Sequence, residues 1–460
     1  MRKVNIIIIS SIIGIMALVI AGISYYQATR FNAHITINDT KVGGLTADQA
    51  IKKLKATVSK NVVYVGKEQI FDGKDTNMGF TDKDLSEVKK LLKSQRTFFP
   101  SSKAKSYSLI PVTADHYRSQ TLKKEVEKKL AFMNKSLKAP KDAEARLEQG
   151  QLIISKSMNG KQYDVERLLE DYQKQEYNSE IHLKPVYRLP LKANSPVVKK
   201  EEKLLQELAL RTVDYKVQNQ VYSFKASELI KNASISKNME YVIDTGDIMN
   251  KVAEINRSQS TLKKDYPFKT HSGSVISVKG QSYGWAIDVG AETQRIQNAF
   301  EKGEKSILAY YIYGAGWSTY GVGYHVTTNH GIGDTYAEVS IKDQRIWIYK
   351  NGQLKVTTPV VTGWHGVDQD TPKGVWYIEY KQSPAILRGS EVGNANYSVK
   401  VAYWAPFTLD GCGFHDAIWR HNWASDAYLT QGSGGCVNTP NGVMKSVYDN
   451  LSQNEPVIVY

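Results

Sequence analysis

The chain has 460 residues, too many for one hydrophobic core, so several domains are expected. Its hydrophobic content of 41% and its ordinary glycine, proline and aromatic content exclude a disordered, collagen-like or low-complexity protein. A net charge of +14 suits an anionic cell envelope; no recognition-helix or base-stacking signature accompanies it, so no nucleic-acid partner is expected.

The N-terminus carries a long apolar run. Arg2 and Lys3 precede a charge-free stretch over residues 4–29, and about 20 apolar residues span a bilayer. Because the basic flank comes first, the short N-terminus is expected in the cytoplasm and the rest of the chain outside. We predict a cytoplasmic tip and membrane anchor over residues 1–30, in a single-pass protein of the cell membrane. A cleaved signal peptide is the alternative.

Charge and tryptophan content change along the chain. After residue 330 there are 10 Lys and Arg against 12 Asp and Glu, so the basic charge lies in the first 330 residues. Such a basic region suits anionic cell-wall polymers. All eight tryptophans lie at or after Trp285, and residues 314–333 are rich in Gly, Thr and Tyr. We therefore predict a linker there and a C-terminal domain over residues 326–460.

The region between anchor and C-terminal domain has an α+β pattern. An N-terminal α+β region is predicted over 31–120, with Thr46 as a helix N-cap. Two later segments each predict strand, turn, strand and helix, with Asp164 and Asp288 near the helix starts. The simplest account is a repeat of two modules, over 121–210 and 211–325.

After residue 334 the pattern becomes β. Alternating apolar residues predict strands, and Asn351-Gly352 predicts a hairpin turn. The predicted strands are 337–341, 345–349, 354–362, 374–380, 397–401, 413–415 and 456–460, with one helix over 441–451. These elements predict a mostly-β sandwich or barrel.

The only two cysteines are Cys412 and Cys436. Cys436 lies in the glycine-rich run 432–440, where the backbone can approach a substrate and the amides of Gly435 and Cys436 could face a developing oxyanion. A thiolate is the nucleophilic form of cysteine, and a nearby histidine favours it. A disulfide between the two cysteines is the alternative, and it would silence this chemistry.

Three histidines could act as the base. His415 ends a short predicted strand that also contains Cys412, which should point away from it as a core residue because strand side chains alternate. His421 lies in a polar loop and is expected to be solvated. His365 lies in a glycine-rich hairpin and could contact substrate. His415 is the preferred base.

The C-terminal region resembles the YkuD-type L,D-transpeptidase catalytic domain. That family has a histidine followed by Ser/Thr-His-Gly-Cys-x-Asn/Arg; here the pattern is His415, then Ser433-Gly-Gly-Cys436-Val-Asn438. The resemblance implies that Cys436 is acylated and that His415 is the base, with the Asp416 carbonyl orienting its imidazole. The other positions implied in the site comprise an oxyanion or orienting set, Gly435, Tyr397 and Ser433, and a substrate-binding set, Trp419, Asn438 and Gly434.

One position departs from the family pattern. The histidine that usually stands two residues before the cysteine is Gly434 here, so an altered acceptor site or pH profile is expected. The two repeat modules resemble the peptidoglycan-binding modules that accompany this domain in Gram-positive envelopes, with Tyr283-Gly-Trp285 as the most recognisable fragment.

The resemblance implies a peptidoglycan L,D-transpeptidase. Such an enzyme expels D-Ala from tetrapeptide stems and forms 3→3 cross-links through a cysteine acyl-enzyme. An L,D-carboxypeptidase and a non-catalytic cell-wall-binding protein remain as alternatives. The sortase motif is absent, papain-like wall hydrolases have the opposite order of cysteine and histidine, and no zinc-binding spacing occurs. No metal or other cofactor is expected.

Overall fold

The computed structural model describes residues 2–95, 101–113, 116–392 and 394–460. The chain forms two compact units, Met1–Glu144 with Ser155–Val198, and Ala145–Ile154 with Lys199–Tyr460. The predicted region 31–120 includes residues 96–100 and 114–115, which lie outside the described residues. The predicted boundaries near residues 120, 210 and 325 stay predictions.

The chain begins with one long helix, α1 (Arg2–Thr29). Its segment Ile6–Thr29 is long and apolar enough to cross a membrane, and its large apolar side chains are exposed. A helix satisfies its own backbone hydrogen bonds, which is what a segment in lipid needs. The N-terminal apolar helix predicted from the sequence is thus present.

The elements that follow alternate short strands and amphipathic helices. In chain order they are β1 (Ile35–Ile37), β2 (Thr40–Lys41), α2 (Ala47–Ala56), β3 (Val58–Ser59), β4 (Val62–Val65), β5 (Glu68–Asp72), β6 (Thr76–Asn77), α3 (Leu85–Ser94), β7 (Lys105–Tyr107), α4 (Lys123–Ser136), β8 (Ala145–Glu148), β9 (Gln151–Ile154), α5 (Val165–Lys174) and β10 (Ile181–Leu183). Thr46 caps α2 through a capping box with Gln49. The hairpin β8–β9 belongs to the second unit.

Two modules in the first unit share one topology. Their sheets have the orders β2-β1-β7 and β10-β4-β5. In each, an antiparallel hairpin is joined by a later strand that runs parallel to the first strand of the hairpin. Each module has its own buried apolar cluster.

The second unit begins with another module of this kind. Its elements are α6 (Pro196–Ala209), β11 (Thr212–Val217), β12 (Gln220–Lys225), α7 (Ala226–Leu229), β13 (Ala233–Ile235), β14 (Tyr241–Ile243), α8 (Gly246–Gln259), β15 (Asp265–Lys269), β16 (Val275–Lys279), β17 (Ala286–Ile287), α9 (Val289–Lys302), β18 (Ser306–Leu308) and β19 (Ile312–Tyr313). The sheet order β12-β11-β18 repeats the arrangement seen twice in the first unit. Asp164 and Asp288 cap α5 and α9 at equivalent places.

The C-terminal domain is mostly β. Its elements are β20 (Tyr336–Ser340), β21 (Arg345–Lys350), β22 (Gln353–Pro359), β23 (Gly374–Tyr377), β24 (Ala385–Glu391), β25 (Asn394–Val401), β26 (Trp404–Pro406), β27 (Gly413–Asp416), α10 (Tyr428–Gln431), β28 (Val437–Thr439), α11 (Asn441–Asp449) and β29 (Pro456–Val459). A five-stranded sheet, β22-β21-β20-β29-β23, and a three-stranded sheet, β26-β27-β28, contribute to one buried apolar core with α11. The multidomain architecture and the mostly-β C-terminal domain agree with the prediction.

Candidate active site

Two adjacent parallel strands position the central residues. β27 and β28 pair in a register that places His415 opposite Asn438 and Phe414 opposite Val437. Since strand side chains alternate, fully buried Phe414 and Val437 point into the apolar core. His415 and Asn438 then face the other side of the sheet, and Cys436, two residues before Asn438, lines the same cavity.

The imidazole of His415 is held by the next residue of its own strand. Its Nδ1 lies 2.9 Å from the carbonyl oxygen of Asp416. A carbonyl oxygen only accepts hydrogen bonds, so Nδ1 carries the proton and Nε2 has the free lone pair. Burial lowers the pKa of His415, and the charge of Arg420 acts in the same direction, while Asp416 opposes them. The ring is therefore neutral at neutral pH and can accept a proton.

The carboxylate of Asp416 fixes the backbone that carries this carbonyl. Its two oxygens accept hydrogen bonds from the backbone N–H groups of Ala402 and Tyr403, at 3.0 and 2.9 Å. Asp416 is buried, so these bonds satisfy a group that would otherwise be costly to bury. Asp416 thus lies where the resemblance placed it, contacting the histidine through its carbonyl rather than its side chain.

Asn438 contacts the imidazole from its other nitrogen. With the amide nitrogen facing the ring, it donates to His415 Nε2 at 3.1 Å, and the amide oxygen accepts from Arg420 Nε at 3.0 Å. Asn438 lies in β28, with its backbone bonded on both sides to Val361. Its position in a strand differs from the turn position given by the family pattern. The buried amide lines the cavity and links the histidine to Arg420.

The loop before Cys436 is tied by Ser433. Its hydroxyl donates to the Cys436 carbonyl at 2.5 Å and accepts from the Gly435 N–H at 3.2 Å. Its backbone N–H donates to the carbonyl of Thr362 at 3.0 Å. The Gly435 amide, predicted as an oxyanion donor, therefore points at Ser433 in this structure.

Gly435 adopts a backbone conformation that favours glycine. Its φ is +117°, and a Cβ there would lie 2.9 Å from the Cys412 sulfur. Thr371 holds its carbonyl through a 2.8 Å hydrogen bond and accepts from the Gly363 N–H at 2.9 Å. The sequence run Thr371–Gly374, read only as a turn, thus supports the cysteine loop.

The two cysteines are both free thiols, so the disulfide alternative is wrong for this structure. Cys412 is half-buried against the apolar core, and burial raises the pKa of its thiol. Cys436 is buried at the cavity wall, and its sulfur lies 3.4 Å from the carbonyl oxygen of Gly411. These surroundings agree with a core role for Cys412 and leave Cys436 as the thiol in the cavity.

A cavity of about 530 Å³ opens in front of these residues. Trp419, nearly half exposed, lies against His415 with ring centroids 5.8 Å apart. Tyr397 lies on β25 over Gly389, where a Cβ would come within 2.9 Å of its ring. The cavity is lined by seven of the predicted site residues, Tyr397, His415, Trp419, Ser433, Gly434, Cys436 and Asn438. Gly435 and Asp416 do not line it.

Two cavity residues were not predicted. Arg420 donates from Nη1 to the carbonyl of Gln431 at 2.6 Å and from Nη2 to that of Gly432 at 3.2 Å, so it braces the cysteine loop as well as Asn438. His421 is exposed, as predicted for a solvated residue, but it lines the cavity. The position of Arg420 five residues after His415 was the available signal, yet its contacts depend on chain segments distant in sequence.

Two further aromatic and histidine positions complete the surroundings. Trp404 lies opposite His415 in the antiparallel pairing of β26 with β27, with ring centroids 5.9 Å apart. His365 is exposed and pairs with Asp370, with 2.9 Å between Nδ1 and Oδ1. It does not line the cavity, so the described geometry gives no support for its predicted contact with substrate.

Comparisons with known proteins bear on both parts of the second unit. Residues 334–459 match the family model of the L,D-transpeptidase catalytic domain, YkuD, and residues 205–309 match that of a peptidoglycan-binding domain. The comparison with curated proteins gives no match.

Solved structures of L,D-transpeptidases are similar to the chain. A mutant of the Enterococcus faecium L,D-transpeptidase is 25% identical, over 56% of this chain and 98% of that one, with a TM-score of 0.46. The catalytic domain from the same organism is 37% identical, over 28% of this chain and 97% of that one, with a TM-score of 0.26. An L,D-transpeptidase from Mycobacterium smegmatis is 20% identical, over 28% and 58%, with a TM-score of 0.24.

Proposed function

Because residues 334–459 are a YkuD-family L,D-transpeptidase catalytic domain and residues 205–309 a peptidoglycan-binding domain, we propose that the chain cross-links peptidoglycan stems through a Cys436 acyl-enzyme. The observation that carries the proposal is the pairing of β27 with β28, which brings His415, Asn438 and Cys436 to one cavity.

In the first half-reaction, His415 Nε2 takes the thiol proton of Cys436. The sulfur attacks the carbonyl carbon of the third, L-configured stem residue and forms a tetrahedral oxyanion. Collapse breaks the carbon–nitrogen bond to D-Ala, and the departing amine takes the proton from His415. The product is a thioester on Cys436, with free D-Ala released.

In the second half-reaction, a side-chain amine of a neighbouring stem attacks the thioester carbonyl. His415 accepts the amine proton and returns it to the Cys436 sulfur as the carbon–sulfur bond breaks. The new amide joins the third residues of two stems, giving a 3→3 cross-link. Water in place of the amine would give carboxypeptidase activity.

The remaining predicted residues have supporting roles in this proposal. The Asp416 carbonyl holds the imidazole, and Ser433 shapes the loop that presents the thiol. The amides of Gly435 and Cys436 would stabilise the oxyanion, which requires the Gly435 N–H to leave Ser433 as the substrate binds. Tyr397, Trp419, Gly434 and Asn438 would line the stem-peptide site.

We also propose that α1 anchors the protein in the cell membrane with the catalytic domain outside, in a Gram-positive-type envelope. The apolar helix follows two basic residues, Arg2 and Lys3, which favour the cytoplasmic side. The basic first 330 residues would meet the anionic polymers of such an envelope. The module over 121–210 would bind peptidoglycan beside the matched domain, since both share one sheet order.

The test is product analysis by mass spectrometry. The full-length protein in detergent and its Cys436→Ala variant are each incubated with a disaccharide-tetrapeptide. Wild type should release D-Ala and form dimers, and the variant should do neither. Release of D-Ala without dimers would make the protein a carboxypeptidase, and no change with the wild type would favour a wall-binding protein.

A further inference from the structure

The segment between the two matched domains exposes a cluster of aromatic side chains. Residues 310–333 belong to neither family match. We name five of these side chains the aromatic strip; their exposed fractions run from 45 to 79%, and they are Tyr310, Tyr311, Tyr313, Trp317 and Tyr320. Exposed apolar surface of this density is typical of an interaction site.

One end of the aromatic strip is fixed by a buried carboxylate. Glu292 is fully buried, and its Oε1 accepts from the backbone N–H groups of Tyr310 and Tyr311 at 3.0 and 2.8 Å. Arg295 pairs with the same carboxylate at 3.0 Å, and its guanidinium lies 5.4 Å from the centre of the Tyr310 ring. The backbone is thus held while the rings stay exposed.

The other end is fixed by the catalytic domain. The Tyr377 hydroxyl accepts from the Ser318 N–H at 2.7 Å and donates to the Ala315 carbonyl at 3.0 Å. Tyr313 and Tyr320 form an antiparallel bridge, which places their side chains on one face. A pre-ordered backbone reduces the entropy lost when a ligand binds to the rings.

The chemistry of this segment selects an uncharged partner. Residues 306–333 contain no Lys, Arg, Asp or Glu, although the whole chain has a net charge of +14. The cation over Tyr310 is neutralised by Glu292. Phosphate-rich polymers would find no matching charge here. The carbon–hydrogen faces of neutral pyranose rings, in contrast, can stack on exposed tyrosine and tryptophan rings.

A chain of contacts leads from the aromatic strip to the active site. Trp317 lies 5.0 Å from the Tyr380 ring, centre to centre. Tyr380 accepts a 3.4 Å hydrogen bond from Trp404 Nε1, and Trp404 lies against His415. Tyr380 also packs on the apolar cluster that contains Cys436. A polymer on the strip would therefore pass close to the cavity.

We propose that the aromatic strip binds the glycan strand of peptidoglycan by stacking on its neutral sugar rings, and so presents stem peptides to the cavity. The identity of the glycan rests on the proposed function, whereas the preference for a neutral saccharide rests on the strip itself. The strip is then a substrate-polymer subsite beside the matched peptidoglycan-binding domain.

The test is calorimetric titration of the full-length protein in detergent with an N-acetylglucosamine hexamer. The wild type should bind, and the double variant Trp317→Ala/Tyr320→Ala should bind at least tenfold more weakly. Tyr320→Phe, which keeps the stacking face, should bind like the wild type. Tyr187→Ala, at an exposed tyrosine outside the strip, is the matched control and should bind normally.

Two results would overturn the inference: no binding by the wild type, or equal binding by the wild type and the double variant. A third would assign the strip to lipid instead. In vesicles of brominated lipid, tryptophan quenching that disappears in Trp317→Phe would show that this ring lies in the membrane. Because the titration measures binding without turnover, its outcome is independent of whether Cys436 is acylated.

Discussion

At the residue scale, the imidazole of His415 is contacted at both nitrogens. Nδ1 donates to the Asp416 carbonyl, and Nε2 accepts from the Asn438 amide. A hydrogen bond to the lone pair of Nε2 stabilises the neutral ring and so opposes its protonation. Burial acts in the same direction and lowers the pKa of His415. The acylation rate should therefore persist to lower pH than an exposed imidazole would allow.

Asn438→Ala should raise the pKa of His415, because it removes the donor to Nε2. Acylation requires the neutral ring and is lost as pH falls through the pKa of the folded protein. The acidic midpoint of the single-turnover acylation rate should therefore move upward, by roughly 0.5–1 pH unit.

Asn422→Ala is the matched control, since Asn422 lines the cavity but has no hydrogen bond to His415 among those of the described residues. It should leave the acidic midpoint unchanged. An unchanged or lowered midpoint in Asn438→Ala would show that the amide does not set the basicity of the imidazole.

Gly435→Ala should destabilise the cysteine loop. The new Cβ requires a φ of +117°, and it would approach the Cys412 sulfur. We expect a loss of about 1–3 kcal/mol in local stability and slower acylation. Gly366→Ala, at a φ of +81° with open space around it, should cost less. Hydrogen exchange of the Cys436 amide measures the difference; equal exchange in both variants would contradict this account.

The sequence identified the site residues better than it identified their contacts. His415 and Cys436 were found from their spacing and glycine-rich surroundings. The link from Asn438 through Arg420 to the carbonyls of Gln431 and Gly432 was missed because it joins three separate segments. No local pattern of residues encodes such contacts; they follow from the pairing of β27 with β28.

At the element scale, the predictions succeeded where a strand is long enough to show its period. The alternation along 336–340 and 345–350 identified β20 and β21. β26 and β28 have only three residues each, too few for alternation, and were missed. They form because neighbouring strands offer hydrogen-bond partners. The helix caps Asp164 and Asp288 were recognised because a cap is a local motif.

A buried carboxylate beyond β23 should make the catalytic domain sensitive to pH. Glu379 is buried, its Oε1 has no hydrogen-bond partner in the described part of the chain, and burial raises its pKa to about 7. Between the ordinary value of 4.5 and about 7, the native state holds a proton that the unfolded state has released. Stability should therefore fall as pH rises through this window.

Glu379→Gln should remove this loss, because the amide has no charge to bury. At pH 8 the variant should be more stable than the wild type by on the order of 1–3 kcal/mol, and the two should converge below pH 4.5. Melting curves across pH measure this. Asp426→Asn, at an exposed carboxylate, should keep the wild-type slope; an unchanged slope in Glu379→Gln would contradict the assignment.

At the scale of the whole molecule, the chain combines an apolar helix, repeated α+β modules and a catalytic domain. The basic charge is confined to the first 330 residues. The sequence showed this division through composition and charge, and it predicted two of the repeated modules. The third, at β1, β2 and β7, was missed because its strands are only two or three residues long.

The two wall partners should respond differently to salt. Binding of the full-length protein to cell walls that retain phosphate-rich polymers should weaken as salt rises, because exposed charges are screened. Walls stripped of these polymers should bind in a nearly salt-independent way. Co-sedimentation from 50 to 500 mM salt measures both. Equal salt dependence for the two preparations would contradict a role for the basic modules in binding anionic polymers.

The central claim is that Cys436 becomes acylated. Its most direct test is the intact mass of the full-length protein after brief incubation with a disaccharide-tetrapeptide, followed by peptide mapping. We predict a mass increase equal to the substrate less D-Ala, located on the peptide that contains Cys436 and absent in Cys436→Ala. An adduct on Cys412, or D-Ala release that persists in Cys436→Ala, would contradict the account.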